Sequence, residues 1–367
     1  MDTNASALAP RLSWDFGSAY DLFVSLEVLH KPEDFGLRPS WAAGVRSRLP
    51  AAERKIFEDL HLSIWVPLHW IHALPGPKDA AAALACLRET APAQRLPELV
   101  NPHNLRHQTA GVLRQVAERG AWDERDLEAL RGGFRKLPGL RAREDLAALL
   151  DCWARPEESG ELYLSALEIY YEVFFAEEEK RILPALQRRL EAARELAGRL
   201  PVPELLEELS QGVHFDAGLA APELILAPAY WSTPLVIYNQ ISAEQMVLLF
   251  GARPAQMSLV PGEQVPDALL QALKALADPT RLRILRYLVH ESLTPSEISR
   301  RLRLRAPTVT HHMTALRLAG LVHLSLQPDR ERRYTARLEG IRATFSSLSE
   351  FLEAGAEDSP ENNPNTR

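Results

Sequence analysis

Between Leu273 and Leu338 three helix signals follow one another closely, and two strand-like runs close the stretch. After Asp278-Pro279 the apolar residues Leu282, Ile284, Leu285, Leu288 and Val289 recur at helical spacing. A second helix is announced by Thr294-Pro295-Ser296-Glu297. Thr294 can cap a free amide, Pro295 suits the first helical position, and Glu297 completes a capping box. Ile298 and Leu302 give this short helix a narrow apolar face. A third helix runs from near Pro307 to Ala319, and Gly320 fits the left-handed residue that ends a helix.

Two short helices joined by a tight turn predict a helix-turn-helix. On the third helix Val309, Met313 and Leu316 stand at i, i+4 and i+7 and are expected in the core. Thr308, Thr310, His311, Thr314 and Arg317 are then expected to point outward, as side chains that read base edges and phosphates do. Val322–Leu326 and Arg333–Arg337 follow as strands around a polar turn, Gln327-Pro328-Asp329-Arg330. A hairpin with a basic tip beside a helix-turn-helix makes a winged helix.

The runs ALADPTRLRILRYL, SEISRRL, APTVTHHMTALRLAGLV and RERRYTARL, in that order, resemble the arsenical-resistance-repressor (ArsR) family of bacterial winged-helix regulators. The resemblance covers about 75 residues, a fifth of the chain. It implies a cytoplasmic transcriptional repressor that binds double-stranded DNA as a homodimer, its terminal helices pairing two protomers. Two-fold symmetry would then match a near-palindromic operator. Many members of the family sense metals through a cysteine pair early in the second helix. Leu293-Thr294-Pro295-Ser296-Glu297 contains no cysteine, so that site is missing and no metal or other cofactor is expected. Members also often cap the recognition helix with Ser or Thr, where this chain has Arg305-Ala306.

Charge agrees with a nucleic-acid partner. Positions 270 to 340 hold 13 Lys and Arg against 6 Asp and Glu, about +7 on a chain of net charge −7. The remainder therefore carries about −14. A basic module on an acidic protein is what phosphate binding needs. Apolar runs long enough to span a membrane are missing, and the first ten residues do not read as a signal peptide. Cys86 and Cys152 make no disulfide framework and fit a reducing compartment.

The rest of the chain reads as mainly α, an α-helical N-terminal domain over 1–260 with a small antiparallel sheet at about 213–250. Residues 1 to 14 read as a loose lead-in. Amphipathic helices are expected from Phe16 to Leu29, from Ser40 to Leu49 and from Ala51 to Leu62. More follow over Asp79–Arg88, Asn104–Glu118, Asp123–Phe134 and Arg141–Ala154. A long helix from Ser159 to Leu200 is expected to break or kink at Pro184. Val213 onward changes character: Leu224–Ala227, Pro234–Tyr238 and Gln245–Phe250 are short apolar runs separated by turn residues, the strands of that sheet. The winged helix-turn-helix (α+β) domain is placed at 262–354, its last helix carrying Ile341, Phe345, Leu348, Phe351 and Leu352. An acidic, disordered tail is expected over 355–367.

Other candidates for chemistry are thin. His69 and His72, and His103 and His107, have spacings that allow a shared helix face, but without a HExxH pattern they read as core or helix-end histidines. The aromatics around Trp65 and Trp70, and from Tyr163 to Phe175, read either as core or as the lining of an apolar effector pocket. Glycine-rich phosphate loops, nucleophile elbows and Cys-x-x-Cys pairs are lacking, so the chain is not expected to be an enzyme.

The expected DNA-reading set is therefore explicit. Thr308, Thr310, His311 and His312 form the major-groove surface, with His312 read alternatively as a partly buried structural group. Arg317 stands nearby on phosphate or base, and Arg305 takes a phosphate. Arg330, Arg332 and Arg333 sit on the wing against the minor groove or the backbone. Thr294 and Ser296 place a helix N-terminus where a phosphate docks. The N-terminal domain is read as a sensor of a small-molecule effector or a dimerisation domain. The rival reading is a protein-interaction module to which the winged helix is subsidiary.

Overall fold

A computed structural model describes residues 10–101, 107–134, 143–215, 221–254, 257, 265–326 and 332–357. The chain divides into two compact units. One takes residues 1–33, 37–192 and 221–252, the other 34–36, 193–220 and 253–367. The second unit thus includes residues well before 260, where the sequence reading places a single boundary. Both are mainly helical. Among the described residues seven strands form two sheets: β1 (Arg11–Trp14), β2 (Val213–Phe215), β3 (Glu223–Ala229), β4 (Ile237–Gln240), β5 (Gln245–Gly251), β6 (Val322–Leu326) and β7 (Arg332–Ala336).

In the first unit the sheet runs β1-β3-β5-β4. The expected antiparallel sheet is corrected to a mixed one. β1 pairs with β3 and β3 with β5 in parallel, and β4 alone is antiparallel, at the edge against β5. The reason lies in burial: β3 and β5 are buried at every position after their first, as strands covered on both faces are. Strand direction is a long-range property that short apolar runs do not encode. The other edge strand, β1, comes from the stretch read as a loose lead-in.

Helix Ala19–His30 is buried from Ala19 to Leu29, as its nearly continuous apolar sequence requires. Its two carboxylates are accommodated by specific partners. Asp21 accepts the Trp231 N–H at 2.8 Å, and Glu27 accepts a hydrogen bond from Lys31 at 2.8 Å. The long helix does not break at Pro184. It runs Pro156–Tyr170, passes through a π-helical turn at Tyr171–Phe175, and continues over Ala176–Ala197 with Pro184 inside. The irregularity falls instead in the aromatic segment. There the extra residue of the wide turn re-aims side chains: Phe175 is fully buried and Phe174 meets Trp41 and Trp231 at 6.0 and 5.7 Å.

The second unit holds helices Val202–Leu209, Asp267–Leu276, Pro279–Leu288, Pro295–Leu302, Ala306–Leu318 and Leu338–Glu357, with a sheet in the order β2-β6-β7. β6 and β7 are an antiparallel hairpin, extended on one side by a bridge between Leu293 and Tyr334. On the other side β2 adds in parallel, Val213 opposite Leu324 and Phe215 opposite Leu326. Val213–Phe215 thus belongs to the wing and not to the N-terminal sheet. The core joins Ile284, Leu285 and Leu288 to Ile298, Leu302, Val309, Met313, Leu316, Leu321, Val322 and Tyr334. The last helix extends through Glu357, past the point where the tail was expected to begin. Residues 358–367 lie outside the described residues.

Candidate nucleic-acid interface

Two helix starts in the module are fixed by side-chain caps. Asp278 accepts the N–H groups of Thr280 and Arg281 at 2.8 and 3.0 Å, and Pro279 fills the first helical position. These hydrogen bonds hold the Asp278 carboxyl below its ordinary range, the Arg281 amide contributing most. Thr294 and Glu297 form the capping box anticipated from sequence. Between the two helices of the motif Arg303 adopts a left-handed conformation, φ 53°. The turn is tied on both sides: the Leu304 N–H donates to the Ser299 carbonyl at 3.1 Å, and the Ser299 hydroxyl donates to the Leu304 carbonyl at 2.6 Å.

The recognition helix Ala306–Leu318 buries Val309, Met313 and Leu316 and leaves Thr308, Thr310, His311 and Thr314 exposed. Thr310 donates to the Ala306 carbonyl at 3.1 Å, which uses its proton and leaves its hydroxyl oxygen as an acceptor. His311 is exposed. His312 is half-buried, and burial lowers its pKa, favouring the neutral ring. Arg305 precedes the helix in an extended conformation and gives it no side-chain cap. It is exposed, as are Ser296, Arg300, Arg303 and Arg332. The four arginines line the same motif and its wing.

Three expectations change. Arg317 does not point outward. It is 7% exposed, and its guanidinium donates to the carbonyls of Ser210 and Gln211 at 2.9 and 3.3 Å. Burial brings its pKa down to about 10. Arg317 stands four residues after Met313 and eight after Val309, so helical geometry keeps it on the flank of the core face. Thr294 is buried, and its hydroxyl serves the capping box rather than a phosphate. Arg333 is on the wing strand β7 opposite Ser325, but it is half-buried, donating to the Ser292 carbonyl at 2.7 Å and lying 3.3 Å from Glu297. Arg330 and the rest of the wing tip lie outside the described residues.

In the first unit the histidines serve packing and hydrogen bonding. His69 Nε2 lies 2.9 Å from the Glu98 carbonyl, and His72 Nδ1 lies 2.7 Å from Asp15. His103 and the side chain of His107 lie outside the described residues. Among the described residues no cluster of three His, Cys, Asp or Glu could hold a metal. The aromatics pack on one another: Phe57 meets Tyr163 and Tyr170, and Trp70 meets Phe23. One surface cavity of about 240 Å³ opens beside His30 and His61, with Lys31, Lys55, Glu58 and Asp145 on its walls. No described helix is long and apolar enough to cross a membrane.

Residues 276–325 match the helix-turn-helix domain family. The match spans the three helices from Pro279 to Leu318 and most of β6. The chain carries a helix-turn-helix domain, a fold with which transcription regulators bind DNA. Among solved structures, that of an ArsR family transcriptional regulator is similar at 28% identity, over 26% of this chain and 98% of that one, with a TM-score of 0.22. No curated protein matches the chain.

Proposed function

We propose that this protein is a homodimeric transcriptional repressor of the ArsR type, which binds a near-palindromic operator in the cytoplasm and answers to a small-molecule effector through its N-terminal unit. One observation carries the reading. The recognition helix keeps its apolar side on the core while Thr308, Thr310 and His311 stand exposed on the other face, with Arg305 exposed at its start. Hydroxyl and imidazole groups discriminate base edges, and the arginines supply the phosphate attraction that places them. Dimerisation is supported by the last helix, where Leu338, Phe345 and Leu352 recur every seven residues at 43%, 56% and 64% exposure. A seven-residue apolar repeat on an exposed helix face suits a paired helix.

The test is binding of the full chain to the DNA just upstream of its own gene, titrated at several salt concentrations beside a scrambled duplex. The proposal expects a strong preference for the native duplex and a steep salt dependence. Equal, weak affinity for both duplexes would remove operator recognition. Absence of binding at low salt would remove the DNA-binding reading altogether.

A further inference from the structure

We propose that Arg317 is a positioning residue that ties the recognition helix to the chain segment Glu207–Phe215, and that this segment is a working part of the DNA-reading module. The inference rests on the DNA-binding reading above. It goes beyond it by assigning a role to residues that lie more than 50 positions before the helix-turn-helix, outside the matched 276–325.

Several independent contacts converge on this segment. Strand β2 pairs in parallel with β6, and the Leu324 N–H donates to the Gly212 carbonyl at 2.9 Å. The two residues before β2 have left-handed backbones, Gln211 at φ 55° and Gly212 at φ 97°. That bend aims two successive carbonyls, Ser210 and Gln211, at the Arg317 guanidinium. A β-carbon at Gly212 would lie 2.9 Å from His323 Nδ1, so both the positive φ and the close approach call for glycine. The Ser210 hydroxyl accepts the Val213 N–H at 2.9 Å and fixes the bend from inside. Glu207 lies 2.9 Å from His214 and 3.1 Å from His323, and Glu339 lies 2.9 Å from the other nitrogen of His323.

The segment therefore grips both parts of the module that DNA would meet. Arg317 sits in the last turn of the recognition helix, and His323 and Leu324 sit on the first strand of the wing. Arg317 donates to neutral carbonyls in a site 7% exposed, which is an expensive place for a cation. A buried charge of this kind stabilises little compared with an apolar side chain, and the role assigned to it here is to specify one geometry. Here the geometry fixed is the angle between recognition helix and wing. Base readout needs both held to within a fraction of an ångström.

The experiment compares full-length wild type with Arg317→Gln, Arg317→Lys and Glu207→Gln. Duplex binding is measured over a salt series, and hydrogen exchange is followed at the Leu324, Leu293 and Tyr334 amides. Arg317→Gln is expected to lose about tenfold in affinity for the native duplex. Its affinity for the scrambled duplex and its salt slope should stay at wild-type values. Exchange at Leu324 should quicken while Leu293 and Tyr334 keep their protection. Arg317→Lys, which keeps a donor, should recover part of the loss. A salt slope lower by about one, with exchange unchanged, would instead make Arg317 a phosphate contact and overturn the proposal. Glu207→Gln loosens the same segment without touching the recognition helix, and carries the test if the Arg317 variants do not fold. Unchanged discrimination and unchanged Leu324 exchange in Glu207→Gln would remove the segment from the reading module. If the wild type binds no duplex, the DNA reading fails, and Leu324 exchange in the variants still decides whether the tie exists.

Discussion

Thr294 and Glu297 hold each other across the first turn of the Pro295–Leu302 helix. The Glu297 N–H donates to the Thr294 hydroxyl at 3.2 Å, and the Thr294 N–H donates back to the Glu297 carboxylate at 2.8 Å. Both would otherwise be orphan donors at a helix start, and this helix has only eight residues to support itself. Thr294→Ala is expected to destabilise the second unit by about 1 kcal/mol, read from urea unfolding. Thr294→Ser should retain most of the stability.

Asp15 predicts an acid-labile first unit. Burial alone would raise its carboxyl, but hydrogen bonds from His72, Lys78 and Tyr20 outweigh burial and hold it at about 2. A folded value below the unfolded one stabilises the fold fully above the unfolded value, about 3.9. That contribution disappears as pH falls from there toward 2. Asp15→Asn keeps the shape but weakens three charge-assisted hydrogen bonds. It is expected to lose about 2 kcal/mol at neutral pH, and the difference from wild type should shrink below pH 4 in thermal melts.

Asp21 predicts the opposite slope. It is fully buried, and that burial pushes its carboxyl up to about 7 against the lowering effect of the Trp231 and Tyr230 amides. The folded state therefore binds a proton that the unfolded chain has released above about pH 4. Stability from this site is complete below pH 4 and is lost as pH rises to about 7. Asp21→Asn preserves an acceptor for the Trp231 N–H and removes the titration. Melts from pH 5 to 8 should show the variant gaining on the wild type as pH rises. An identical pH dependence for both would show that Asp21 does not titrate in this range.

How legible these features were depends on the range of the interactions behind them. The winged module could be read because its determinants are local. A proline and a capping residue start the helices at Pro279 and Pro295, the period of Val309, Met313 and Leu316 sets the core face, and Gly320 at φ 66° ends the last turn. The N-terminal sheet could not, because pairing β1 with β3 joins Arg11 to Glu223 across more than two hundred residues. Arg317 fell between the two. Its i+4 spacing from Met313 was a local signal of burial, but an arginine near a helix end is ordinarily solvated, and its partners at 210 and 211 come from another part of the chain.

The exposed arginines make a quantitative prediction about salt. Arg305 and Arg332 are placed on the helix start and on the wing, where phosphates would pass. Replacing either with alanine should weaken native and scrambled duplexes alike and lower the salt slope by about one. His311→Ala should instead weaken the native duplex alone, by about 1–3 kcal/mol, with the slope unchanged. Uniform losses from all three variants would show that His311 does not read bases.

The dimer is the most exposed part of the proposed function, and the stripe of Leu338, Phe345 and Leu352 lets it be tested directly. Three large apolar side chains on one helical face, two of them more than half exposed, expose area that pairing would cover. On the same helix it is Ile341 that packs against the core of the module, so replacing the outward residues should leave that core standing. Phe345→Asp combined with Leu352→Asp is expected to give a folded monomer by sedimentation equilibrium. Its operator affinity should fall by about a hundredfold or more, because the two half-sites would then be bound without linkage. Affinity for a single half-site should be nearly unchanged. A wild-type chain that sediments as a monomer would assign the stripe to another partner, and a double variant that remains a dimer would place the dimer contact elsewhere.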